Sequence, residues 1–183
     1  MHFTYPELVE GFKIAFENAD DHFTAGSLLA DKKYYGFGLA HLILSSEESI
    51  KALNLAFGIL ENSQNSEKLK KIFSSHKDKH ESIKGFEEYI KKTIEPFLAE
   101  LNGKDTELEK HFRKITNAIK NSKYKDWNDA NFYKNSGFYL DFKNGKFISP
   151  KNITIAELKK YYQLAWELLM ANEIIKQKFN WLQ

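Results

Sequence analysis

An all-α fold, a helical bundle of about five helices with a small β-hairpin or ordered loop inserted before the last one, is predicted by three features of the sequence. Apolar residues recur at three-and-four spacing over several long segments. Helix breakers are scarce, with 3 Pro and 9 Gly in 183 residues. Strand-like alternation is confined to one stretch, "GFYLDFKNGKFIS". A chain of this length can bury a substantial core, and a single domain over 1–183 is expected, with the irregular insertion at about 122–152.

The first helix is expected from Pro6 to Asp31. Proline at the entry loses no hydrogen bond there, and Leu8, Phe12, Ala15, Phe16, Ala19 and Phe23 form one apolar stripe. "DKKYYG" breaks the pattern, and a second helix runs from Tyr34 to Leu60, packed antiparallel to the first. Leu39, Leu42, Ile43, Ile50, Leu53 and Phe57 form its main stripe, beside a strip of small residues, Gly38, Ser45, Ser49, Ala52 and Ala56, that lets a neighbour approach closely. With Leu44, Leu55 and Ile59 on a further side, this helix is central. Glu48 then lies on a largely apolar surface, and Glu47 and Lys51 flank the stripe as an i,i+4 pair.

A third helix is expected from Ser66, where "SEKL" supplies an N-cap, to Pro96, and a fourth from Thr106 to Asn121. No helical period is visible in the stretch after that. Asn144-Gly145 is the dipeptide that favours a tight hairpin turn. The last helix starts after "NIT", where Thr154 and Glu157 make a capping box, and carries Leu158, Tyr161, Tyr162, Ala165, Leu168, Leu169 and Ile175.

Composition narrows the function classes. With 42% hydrophobic and 15% aromatic residues the chain is a folded protein, and a net charge of +2 supplies no global field for nucleic acid. The absence of Cys removes thiolate nucleophiles, disulfides and thiolate metal sites. The N-terminus lacks both a basic region and an uninterrupted apolar run, and no segment reaches membrane-spanning length, so a cytoplasmic protein with no membrane association is expected.

Chemistry-bearing residues concentrate in "KIFSSHKDKHE", residues 71–81. His76 and His80 share the broad apolar face of the third helix, while Lys77, Asp78 and Lys79 point outward. Two imidazoles at i,i+4 with Glu47 or Glu48 as a third ligand would suit zinc, but the Glu-x-x-His repeats of di-metal bundles are missing, and neither metal nor cofactor is expected. RNA cleavage without metal needs a base, an acid and a cation, which His76, His80 and Lys77, Lys79 or Lys71 could supply. Taken alone, those lysines are better explained as the solvated face of an ordinary helix. Residues 123–146 interleave Lys with Trp127, Phe132, Tyr133, Phe138, Tyr139 and Phe142, a pattern that either anchors a loop to the bundle or contacts single-stranded RNA.

The order of "LAHLILSSEESIKALNL", "FSSHKDKH" and "SGFYLDFKNGKFISP" resembles the AbiV family of bacterial abortive-infection proteins, within the HEPN superfamily. The resemblance spans Tyr5 to Ile175, and the Glu-Glu pair before Lys51 is its most distinctive piece. It implies a HEPN-like helical domain acting in anti-phage defence by arrest of the infected cell. HEPN relatives often cleave RNA without metal, as homodimers whose paired sites face one cleft, through an Arg followed four to six residues later by His. This chain departs from that signature: its one arginine is Arg113, and no histidine follows His111. The nearest substitutes are Lys71 with His76, and Lys134, Asn135 and Tyr139.

The resulting expectation is a homodimeric defence protein, a ribonuclease toxin in which Glu48, His76, His80, Glu47 and Lys77 are catalytic and Lys71, Lys79, Lys134, Asn135 and Tyr139 contact RNA. A phage protein is the expected activator. The alternative is a non-enzymatic effector or sensor that binds a phage or host protein and uses the same polar cluster to hold its helices together.

Overall fold

The computed structural model describes residues 3–60, 109–110, 113–114 and 130–178. Among them are four α-helices, α1 (Tyr5–Asp31), α2 (Tyr35–Leu60), α3 (Ala130–Phe138) and α4 (Ile155–Lys178). Between α3 and α4 come an antiparallel pair, β1 (Asp141–Lys143) and β2 (Lys146–Ile148), and one 3-10 turn, Pro150–Asn152. The fold is the expected helical bundle with a hairpin before its last helix. The helix expected from Ser66 to Pro96 lies outside the described residues, as does most of the one from Thr106 to Asn121. Residues 109–110 and 113–114 are helical, with Arg113 reaching back to Glu109.

Local signals place α1 and α4. Thr4 caps α1, its N–H donating to Glu7 Oε2 at 2.7 Å while the Glu7 N–H donates to Thr4 Oγ1 at 3.4 Å. Thr154 and Glu157 repeat the device at α4, at 2.7 and 3.3 Å. Such reciprocal capping satisfies backbone donors that a helix start leaves without partners. Lys33 takes the left-handed conformation, φ 64°, and turns the chain from α1 into α2.

The α1–α2 pair is antiparallel and close. A Cβ on Gly26 would lie 3.0 Å from the Gly38 carbonyl oxygen, and one on Gly38 would lie 2.9 Å from that of Gly26. Further along, Ser45 Oγ donates to the Ala19 carbonyl at 2.7 Å. The small-residue strip of α2 is therefore where α1 lies, as its composition predicts. α4 runs parallel to α2, with Leu158 beside Gly38 and Asn172 Nδ2 donating to the Ser49 carbonyl at 3.0 Å. Phe12, Leu39, Leu42, Ile43, Leu53 and Leu55 are the largest fully buried side chains, each worth about 1.5–3 kcal/mol of apolar burial. No described helix is long and apolar enough to cross a membrane.

α3 falls where no helical period is visible. "ANFYKNSGF" has poor intrinsic helix propensity, with two Asn, a Ser and a Gly in nine residues. Contact with α2 supplies what propensity does not: a Cβ on Gly137 would lie 2.5 Å from the Gly36 carbonyl oxygen and 2.8 Å from Ala40 Cβ, so only glycine lets the two helices meet there. Beyond α3, Asn144 and Gly145 take φ of 51° and 76° and form the predicted two-residue turn, which pairs Phe142 with Phe147 and Lys143 with Lys146.

Candidate functional site

Polar chemistry gathers along the seam between α2 and α3. Glu47 and Lys134 are buried, and Lys134 Nζ donates to Glu47 Oε1 at 2.8 Å. Antiparallel packing directs them toward each other: Lys134 lies about one turn before Gly137 and Glu47 about two turns after Ala40, and the long lysine side chain spans the difference. Two charges removed from water this far persist only because each is the other's partner. Ser136 Oγ, on the same short helix, is buried with no hydrogen-bond partner among the described residues. Glu47 was expected to pair with Lys51. Lys51 instead pairs with Glu48, one position nearer, because burial turns Glu47 toward α3.

At the other end of the seam, two histidines meet. His22 of α1 and His41 of α2 place their Nδ1 atoms 3.1 Å apart, and the His41 ring stands edge-on to Phe138 of α3 at 5.4 Å. Ring centroids 5.3 Å apart exceed the Nδ1 separation by about two ring radii, so the nitrogens face each other nearly head-on, as in a hydrogen bond. Burial holds the His41 imidazole below its ordinary pKa, and the neighbouring His22 lowers it further.

One proton in that contact dictates the rest of the pair. The ring that donates its Nδ1–H must carry a free lone pair at Nε2, and the accepting ring must carry its proton at Nε2. With both rings neutral, the contact presents one base and one acid at the outer nitrogens. A proton taken up by the first ring can pass through the Nδ1 contact and leave from the second. That is the minimum equipment for general acid–base chemistry in one unit.

The other expected site residues are distributed differently. Glu48 lies on α2 one residue from Glu47 and is held by Lys51. Asn135 and Tyr139 are exposed at the solvent side and end of α3, on a different side from the buried Lys134 ammonium. His76, His80, Lys71, Lys77 and Lys79 lie outside the described residues. Among the described residues no group of three or more His, Asp or Glu is arranged to hold a metal ion. A second buried carboxylate, Glu167 of α4, accepts from Gln163 Nε2 at 2.7 Å and lies 3.4 Å from Lys114 Nζ.

Sequence reasoning did not single out His22 and His41 as a pair. The signal was present: an antiparallel hairpin with Gly26 against Gly38 puts residue 22 opposite 41, so two histidines must meet once the register is known.

A family model for AbiV, of the HEPN group, matches residues 7–170. No curated protein and no solved structure matches the chain. The match runs from the first turn of α1, through both helices of the histidine pair and the Glu47–Lys134 seam, almost to the end of α4. The chain belongs to the AbiV family of the HEPN superfamily, whose role is bacterial abortive-infection defence.

Proposed function

We propose that the protein serves abortive infection as a metal-independent endoribonuclease. The observation that carries this reading is the His22–His41 contact, two imidazole Nδ1 atoms 3.1 Å apart beside α3. His41, kept neutral by its surroundings, suits removal of a 2′-hydroxyl proton near neutral pH. The freed 2′-oxygen attacks phosphorus, the bond to the 5′-oxygen breaks, and the departing oxygen takes a proton from the outer N–H of the partner ring. The products are a 2′,3′-cyclic phosphate and a 5′-hydroxyl. Glu47 and Lys134 hold α3 against α2 in this scheme. His76, His80, Lys77 and Glu48 are the further candidates for the reacting groups, Lys71 and Lys79 for phosphate contacts, and a homodimer with a phage protein as activator is the proposed working form.

The test is cleavage of total RNA in EDTA by the purified protein and by His41→Ala, His22→Ala, His76→Ala and His80→Ala variants of unchanged fold. Loss of a general acid or base lowers the rate by about 10²–10⁴. Equal products from wild type and every histidine variant would sink the nuclease reading.

One observation favours a second reading. Glu47 and Lys134 neutralise each other while joining α2 to α3, and Glu48 and Lys51 pair with each other along α2, so all four charged groups have structural partners. A non-enzymatic effector that binds a phage or host protein needs no more than that. Phage protection that survives the His41→Ala and His22→Ala substitutions favours this reading.

A further inference from the structure

The β1–β2 hairpin leaves its aromatic face in water. In the observed register Phe142 pairs with Phe147 on one face, while Lys143 pairs with Lys146 on the other. A hairpin on the side of a bundle ordinarily turns its aromatic face to the core and its lysines to water. Here Lys143 Nζ reaches over the ring of Phe132 in α3, 4.6 Å from its centroid, yet Lys143 and Lys146 both remain exposed. Phe142 and Phe147 remain 60% and 69% exposed, with their ring centroids 5.0 Å apart. Tyr139 and Leu140, just before β1, are exposed as well.

The charges are as unusual as the rings. Lys143 and Lys146 face each other across the ladder, an arrangement in which like charges destabilise a strand pair. Lys151 follows in the 3-10 turn and is exposed too. None of these lysines is paired with a described carboxylate. The one acidic residue of the hairpin, Asp141, turns its carboxylate to the N–H of Phe142 at 2.7 Å. An anionic ligand would relieve the Lys143–Lys146 repulsion, and a ligand with flat apolar faces would cover the Phe pair.

We infer that the β1–β2 hairpin is a binding platform for single-stranded nucleic acid, with Phe142, Phe147 and Tyr139 stacking on bases and Lys143, Lys146 and Lys151 meeting phosphates. Single strands fit because only unpaired bases expose their faces, whereas a duplex hides them. The inference shares with the ribonuclease reading the premise that RNA is the ligand. It asks nothing of the histidine pair and is tested apart from cleavage.

A fluorescein-labelled 2′-O-methyl RNA twelve-mer of mixed sequence cannot be cleaved through its 2′-position, so its anisotropy reports binding alone. Wild type and Asn18→Ala, a substitution on the exposed face of α1, should bind the single strand equally, and both should bind the same sequence more weakly once it is annealed to its complement. Phe142→Ala/Phe147→Ala should weaken single-strand binding at least about tenfold, since stacking loss is felt at each base. Because these rings are exposed, an unchanged melting temperature is expected and shows that the fold is intact. Lys146→Gln/Lys151→Gln should flatten the dependence of affinity on salt. Failure of wild type to bind the single strand at low salt, or equal affinity in the double phenylalanine variant, overturns the inference and leaves the aromatic face to an acidic protein segment.

Discussion

Glu47 Oε1 on α2 and Lys134 Nζ on α3 lie 2.8 Å apart in the interior, although 87 residues separate them in the chain. Their side chains keep only 7% and 8% of their accessible surface, so each has exchanged water for the other. Glu47→Ala or Lys134→Ala strands the remaining charge in the interior and should cost about 3–5 kcal/mol. The double substitution Glu47→Leu/Lys134→Met removes both charges and should recover most of that loss. Urea denaturation of the four proteins checks this, and a double variant as unstable as the sum of its parts would show that the pair is not coupled.

Acid should weaken the fold through His41. Its folded pKa lies below the ordinary value of 6.5, so as pH falls past that value the unfolded chain takes up a proton that the folded protein resists. The contribution is present above the ordinary histidine pKa and is lost as pH falls toward the depressed one. Between about pH 7.5 and about pH 5.5 the melting temperature of wild type should drop more than that of His41→Gln. Parallel curves for the two proteins would count against the assignment.

Gly137 is expected to tolerate no side chain. Alanine is worth up to about 1 kcal/mol more than glycine inside a helix, so propensity alone predicts stabilisation. Contact predicts the opposite, since the new methyl would meet the Gly36 carbonyl oxygen at 2.5 Å and Ala40 at 2.8 Å. Overpacking of this kind costs about 1–3 kcal/mol, and Gly137→Ala should lower stability accordingly. Asn135→Ala, exposed on the same helix, is the control and should change stability little. A Gly137→Ala protein as stable as wild type would mean that α3 can slide on α2.

The legibility of the sequence follows the range of each interaction. The ends of α1 and α4 could be read because Thr4 with Glu7, and Thr154 with Glu157, are pairs within one turn. The hairpin could be read because Asn144-Gly145 carries its own backbone preference. α3 could not, because its helicity depends on Gly36, Ala40 and Glu47 of another helix. Glu47 stood out as a charge on a nearly apolar helix, whereas Lys134 was singled out for its spacing to Tyr139. Nothing in either segment says that these two charges meet. The His22–His41 contact depends in the same way on the register of two helices, which neither helix encodes alone.

The three-residue link of Lys32, Lys33 and Tyr34 also sets an order of assembly. Contacts between α1 and α2 close short loops, whereas the Glu47–Lys134 contact waits for a chain return of 87 residues, and closure entropy rises with that separation. Local contacts form first when topology governs the rate. During synthesis both scaffold helices, with the His22–His41 pair between them, are complete before Lys134 is made. Glu47 accordingly waits for its ammonium partner until α3 is made, and the docking of α3 is the late step that closes the pair.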